Sequence, residues 1–273
     1  MASEEIITYL NLFQAQKKTW GKIYDIVNNN KVGNAYIFSG PEGSGKEALS
    51  IAFAQFLNCS HRKLTPCLKC SSCIRYNKLQ HEMLDLIVPL PTYKNSKNEI
   101  DNSTLALLNQ EIKNKSTDPY YKIRIPKANR ILIQSIRELR KKLYFKSEKI
   151  YRKVVLIFDS HLLSSGQSES ANALLKILEE PPDNTTLILV TDYKDLILPT
   201  IISRCQFLGV PRFSDSFIQN WLRTKNIDED NIILISGLSG GNIHQARFLV
   251  EKPLEDLKKQ INEMITSLLN KNP

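Results

Sequence analysis

Apolar positions along this chain fall into two rhythms. Short unbroken runs at 35–38, 86–88, 154–158 and 186–190 predict buried strands, and 154–158, apolar on both alternations, suits a central parallel strand covered on both faces. Between them the spacing turns helical. It does so over 4–30, over 47–57, at Leu132, Ile136, Leu139 and Leu143, and at Leu174, Leu175, Ile177 and Leu178, where Pro181 and Pro182 end the pattern. Strands alternating with helices predict a parallel α/β sheet. After Pro211 short helical patterns take over with Gly237, Gly240 and Gly241 between them, so a helical second domain is expected from about residue 210. Residues 93–120, rich in Asn, Lys, Ser and Asp without a period, read as a polar surface insertion that carries no recognisable chemistry.

The first run leads directly into Gly40-Pro41-Glu42-Gly43-Ser44-Gly45-Lys46, the G-x-x-x-x-G-K phosphate loop between a strand and a helix. In that loop backbone N–H groups cradle phosphates, the glycines let the backbone approach them, and the lysine reaches the outer oxygens. The next position, a Ser or Thr that ligates Mg²⁺ in working enzymes, is Glu47. A carboxylate there adds negative charge beside a triphosphate and suits a helix start with no ligand, so the loop is either weakly occupied or a retained fold element. Asp159, at the end of the 154–158 run, is placed for the magnesium side of such a site, but Ser160 follows it and cannot act as a general base at neutral pH. The sequence thus predicts a P-loop ATPase fold that has lost its chemistry.

Cysteine spacing adds a metal candidate. Cys59, Cys67, Cys70 and Cys73 offer four thiolates with no open position, a structural zinc pattern. An iron–sulfur cluster and free buried thiols are the competing readings, the former without the terminal Cys-Pro of a ferredoxin run. His61 is a possible substitute ligand or a solvent-facing loop residue, and Cys205 stands alone. Charge changes the picture in one place: residues 121–153 hold 12 Lys and Arg against two Glu, while the whole chain carries a net charge of +9. That cluster is either a seat for phosphate backbones or a solvated helix face. No stretch reaches the roughly 18 apolar residues of a membrane span, and the start lacks a secretory pattern, so a cytoplasmic protein is expected.

The run from Asn34 to Gly43, the four-cysteine insert after the first helix, the run from Ser170 to Pro182 and the run from Leu198 to Cys205 together resemble the delta-prime family of bacterial DNA polymerase III clamp-loader subunits, in the AAA+ superfamily. The resemblance implies an AAA+ P-loop domain with a parallel sheet and a zinc-binding insert over residues 1–209, followed by a small helical lid domain over 210–273. It implies a hetero-pentameric ring that opens a sliding clamp and places it on primed DNA, with this chain as its stationary member. It also implies that Arg204 acts in trans as an arginine finger, the alternative being an ordinary salt bridge within the chain. Gly40, Gly43, Gly45, Lys46, Glu47 and Asp159 become a degenerate nucleotide site, with ATP weak or absent and Zn²⁺ on the cysteines. His244 seats where active relatives carry a sensing Arg. The 63 residues after Val210 are too few for a lid and the family's collar domain, so the collar is expected to be absent, in a shortened or truncated form. Two further readings stay open: an ATP-hydrolysing motor subunit of the gamma or tau kind, and a free-standing zinc protein binding nucleic acid through 121–153.

Overall fold

The computed structural model describes residues 9, 11–92, 101–144 and 151–251, together with 259, 263, 264, 266 and 267. Five strands form one parallel sheet in the order β2-β3-β4-β1-β5. They are β1 (Ala35–Ser39), β2 (Leu84–Ile87), β3 (Lys153–Ile157), β4 (Thr185–Thr191) and β5 (Gln206–Gly209). The helices are α1 (Lys17–Asn28), α2 (Lys46–Asn58), α3 (Ser71–Asn77), α4 (Asn102–Thr117), α5 (Ile133–Tyr144), α6 (Glu169–Glu179), α7 (Pro199–Ile202), α8 (Asp215–Arg223), α9 (Glu229–Ser239) and α10 (Ile243–Val250).

Every residue of β1 and β4 is buried, which is why these strands read as unbroken apolar runs. Successive side chains point to opposite faces. Tyr36, Phe38, Val154, Leu156, Ile188 and Val190 pack on one side against α1, α2 and the helices after residue 210. Ala35, Ile37, Val155, Ile157, Leu187 and Leu189 pack on the other against α5, α6 and α7. Helix α2 lies wholly inside, all 13 of its residues buried, so its first turn, Lys46 and Glu47, is held deep at the end of β1.

The helical pattern over 4–30 is realised by α1 and by helical backbone at 11–15, with residues 1–8 and 10 outside the described residues. Two expectations need correction. Gly237 lies inside α9, not between helices, and only Gly240 and Gly241, both at positive φ, turn the chain into α10. The polar run over 93–120 contains the 16-residue helix α4, capped by Asp101, whose carboxylate accepts from the Thr104 N–H; residues 93–100 lie outside the described residues. Its apolar residues divide between packed Leu108 and Ile112 and exposed Leu105 and Leu107, too loose a stripe to announce itself. Among the described residues no helix is long and apolar enough to cross a membrane.

Candidate functional site

The phosphate loop closes over its own lysine. Lys46 Nζ donates to the Pro41 carbonyl at 2.7 Å and to Ser44 Oγ at 3.3 Å, and it meets Asp192 Oδ1, just past β4, at 2.5 Å. Burial lowers the Lys46 pKa from its ordinary value, and the Asp192 carboxylate opposes that shift. Gly43 and Gly45 hold positive φ, and a Cβ on either would strike Asn242 or Phe213. These two glycines therefore also serve the close packing of the loop on the C-terminal helices, where Ile243 N–H donates to the Gly43 carbonyl at 3.1 Å.

Glu47 does not face an open metal position. Its Oε2 accepts from Lys115 Nζ at 2.5 Å and its Oε1 lies 3.1 Å from Lys122 Nζ. Lys122 Nζ also meets Asp159 Oδ1 at 2.5 Å, and Lys115 Nζ donates to the Tyr121 carbonyl at 2.6 Å. Burial pushes the Glu47 carboxyl up, but Lys115 and Lys122 outweigh it and bring its pKa down to about 2. Burial also works against the charge on Lys122, yet Glu47 and Asp159 hold its pKa above the ordinary lysine value. For Lys115 burial prevails and the pKa falls; for Asp159 burial prevails and the pKa rises. Three ammoniums thus face three carboxylates, Lys46, Lys115 and Lys122 against Asp192, Glu47 and Asp159.

The sequence predicted Asp159 beside a magnesium ion; its partner in the structure is Lys122, while Glu47 takes Lys115 from the insertion that seemed to carry no chemistry. Lys122 belongs to the basic run 121–153 and is likewise turned inward, so that run is not one uniform surface. Arg137, Arg140 and Lys141 stand exposed on α5, whereas Lys142 and Lys153 share Asp85 and residues 145–150 lie outside the described residues. Ser160 is fully buried, its Oγ donating to the Val190 carbonyl at 3.1 Å. His244 Nδ1 sits 3.6 Å from Glu42 Oε1, and burial lowers its pKa. The cavity among Gly43, Lys46, Glu47, Lys122, Asp159 and His244 is about 20 Å³, the scale of one water. In this arrangement the ammonium groups that would meet a magnesium nucleotide are each paired with a carboxylate of the chain.

The fold brings the four cysteines together. Their sulfurs all lie within 4.8 Å of one another and could hold a metal ion. Cys67 Sγ and Cys73 Sγ are 4.0 Å apart, close to the roughly 3.8 Å edge of a tetrahedron with 2.3 Å metal–sulfur bonds. Backbone N–H groups of Cys67, Cys70 and Cys73 point at the sulfurs of Cys59, Cys67 and Cys70. His61 is exposed and outside this set.

Arg204 lies just beyond α7, at the start of the edge strand β5. Its Nη2 meets Glu179 Oε1 at 3.0 Å and its Nη1 donates to the Thr200 carbonyl at 2.9 Å. The side chain is 37% exposed, and an ion pair of that kind contributes about 0–1 kcal/mol.

This P-loop on a five-stranded parallel sheet can be placed among known proteins. The family model described as DNA polymerase III, delta subunit, matches residues 15–214, most of the chain. The chain belongs to this family of AAA+ clamp-loader subunits. The gamma subunit of Buchnera aphidicola subsp. Schizaphis graminum is 30% identical over 262 residues, 91% of this chain and 61% of that protein. The tau subunit of Bacillus subtilis is 28% identical over 231 residues, 82% of this chain and 34% of that protein, and the delta-prime subunit of the same organism is 25% identical over 240 residues, 88% and 60%. This clamp-loader chain therefore spans from about a third to about three fifths of these relatives' lengths. A solved gamma subunit-related protein from Thermotoga maritima is similar at 21% identity with a TM-score of 0.46, covering 80% of this chain and 52% of that one.

Proposed function

We propose that this chain is a non-hydrolysing, delta-prime-like subunit of the DNA polymerase III clamp loader, assembling with other subunits into the hetero-pentamer that loads the sliding clamp onto primed DNA. The observation that carries this reading is the pairing of Glu47 and Asp159 with Lys115 and Lys122. Phosphoryl transfer in P-loop enzymes depends on a metal ion held by a hydroxyl and an acid, and on a positioned water. Here the hydroxyl position is a carboxylate, the acid is neutralised by lysine, and the residue after it is a serine whose hydroxyl is committed to Val190. Residues 1–209 act as the P-loop domain and 210–273 as its helical lid, and the cysteine module holds Zn²⁺. Arg204 serves in trans: a forked, permanently charged guanidinium released from a weak exposed pair with Glu179 can reach the nucleotide of an adjacent subunit.

A hydrolysing motor subunit of the gamma or tau kind is the second reading, favoured by the intact loop from Gly40 to Lys46 and by the gamma and tau relatives. Phosphate release by the purified chain separates the two. The expected result is no magnesium-dependent turnover above that of Lys46→Ala; turnover that Lys46→Ala abolishes contradicts the non-hydrolysing reading.

A further inference from the structure

The lysines that fill the site belong to a segment that continues across to the C-terminal helices. From Lys115, at the end of α4, the chain runs through Asp118, Tyr120 and Tyr121 to Lys122 and Arg124. Asp118 pairs with Arg247 of α10, whose guanidinium also lies over the Tyr121 ring, 5.9 Å from its centroid. The buried Tyr120 ring meets Phe213 edge-on at 5.8 Å and Phe217 at 6.1 Å. Arg124 reaches Glu42 in the phosphate loop at 3.5 Å, and Glu42 also faces His244 of α10. One stretch of ten residues therefore touches the loop, the metal-side carboxylates and two C-terminal helices.

The contacts differ in weight. Lys115 is 1% exposed and Glu47 11%, and removing one partner of so enclosed a pair leaves the other charge buried. The Asp118–Arg247 pair is about a quarter exposed, and Arg124–Glu42 is mostly exposed, so these orient more than they stabilise. In a nucleotide-driven switch the ligand's contacts on both sides of a hinge decide which arrangement is populated. Here equivalent contacts on both sides are covalently part of the chain.

The geometry points to a built-in occupant: the run from Lys115 to Arg124 takes the place of a metal-bound nucleotide and fixes the phosphate loop against the C-terminal helices without any ligand. It rests on the reading of a non-hydrolysing site and names what fills that site. Such a strap makes this subunit insensitive to nucleotide, since a ligand shifts an equilibrium only through contacts that favour one arrangement, and the strap already makes those contacts.

Amide hydrogen exchange on the full chain tests this. In the unaltered protein residues 41–49 and 241–250 exchange slowly, at rates that millimolar Mg²⁺–ATP does not change. The double variant Lys115→Met, Lys122→Met speeds exchange in both segments by at least about tenfold, while β1 and β4 remain protected. Asp118→Asn, at the half-buried rim, gives a smaller rise in both segments and decides the matter should the double variant fail to fold. Exchange unchanged in these variants, or raised in one segment alone, overturns the strap. Slowing of the unaltered protein's exchange by Mg²⁺–ATP also overturns it, and with no phosphate release it leaves the non-hydrolysing reading standing; phosphate release would remove that reading itself.

Discussion

Glu47 is where the sequence departs from a working phosphate loop, and its side chain is paired with Lys115 and Lys122. A carboxylate in the first turn of α2 gains from the helix dipole by less than 1 kcal/mol when exposed; two ammoniums within 3.1 Å in a buried setting do far more. Glu47→Gln is therefore expected to cost about 3 kcal/mol of unfolding free energy, because Lys115 keeps its charge and loses its partner in the interior. Urea denaturation measures it, and a loss under about 0.5 kcal/mol would contradict the pairing. The loop from Gly40 to Lys46, the odd Glu47, Asp159 and Ser160 were all legible in the sequence, since the motif is local and its departures stand at fixed offsets. Lys115 and Lys122 were not. They lie 68 and 75 residues from Glu47 in the chain, and a lysine in a polar run gives no sign of which way it will turn.

At the scale of elements, legibility followed burial. Strands β1, β3 and β4 are enclosed on both faces and declared themselves as apolar runs, whereas the edge strand β5 exposes Gln206 and Phe207 and carried no such signal. Helix α3 escaped notice for a different reason: its first turn is organised by sulfur, with Cys70 as its N-cap accepting from the Cys73 N–H. That module joins the end of α2, at Cys59, to α3, so metal binding there is folding energy for both. Elemental analysis of protein prepared without chelator is expected to give one zinc per chain. Stripping the metal should then lower stability by several kcal/mol, a part of the ~10 kcal/mol a structural zinc supplies. Thermal melts with and without a strong chelator read this out; iron in the protein, or an unchanged melt on metal removal, would contradict a structural zinc.

For the whole molecule, the distribution of charge separates the inside of the site from its outside. Within, three cations are paired with three anions. Outside, Arg204 is held, among the described residues, by Glu179 and the Thr200 carbonyl, at the surface, where exchange for a stronger anionic partner costs little. The run from Leu198 to Cys205 signalled this position from the sequence through resemblance, while the exposed pair with Glu179 was visible only in the structure. An arginine finger supplied to a neighbour's nucleotide is worth about 10³-fold or more in rate, far beyond any effect of a surface pair on this chain's own stability. The decisive measurement is ATP turnover, stimulated by primed DNA, in clamp-loader rings reconstituted with the unaltered chain or with Arg204→Ala, assembly being checked by size-exclusion chromatography. Intact rings are expected in which hydrolysis at the adjoining site falls by about 10³-fold; intact Arg204→Ala rings that turn over ATP at the unaltered rate would rule out the role of Arg204 in trans.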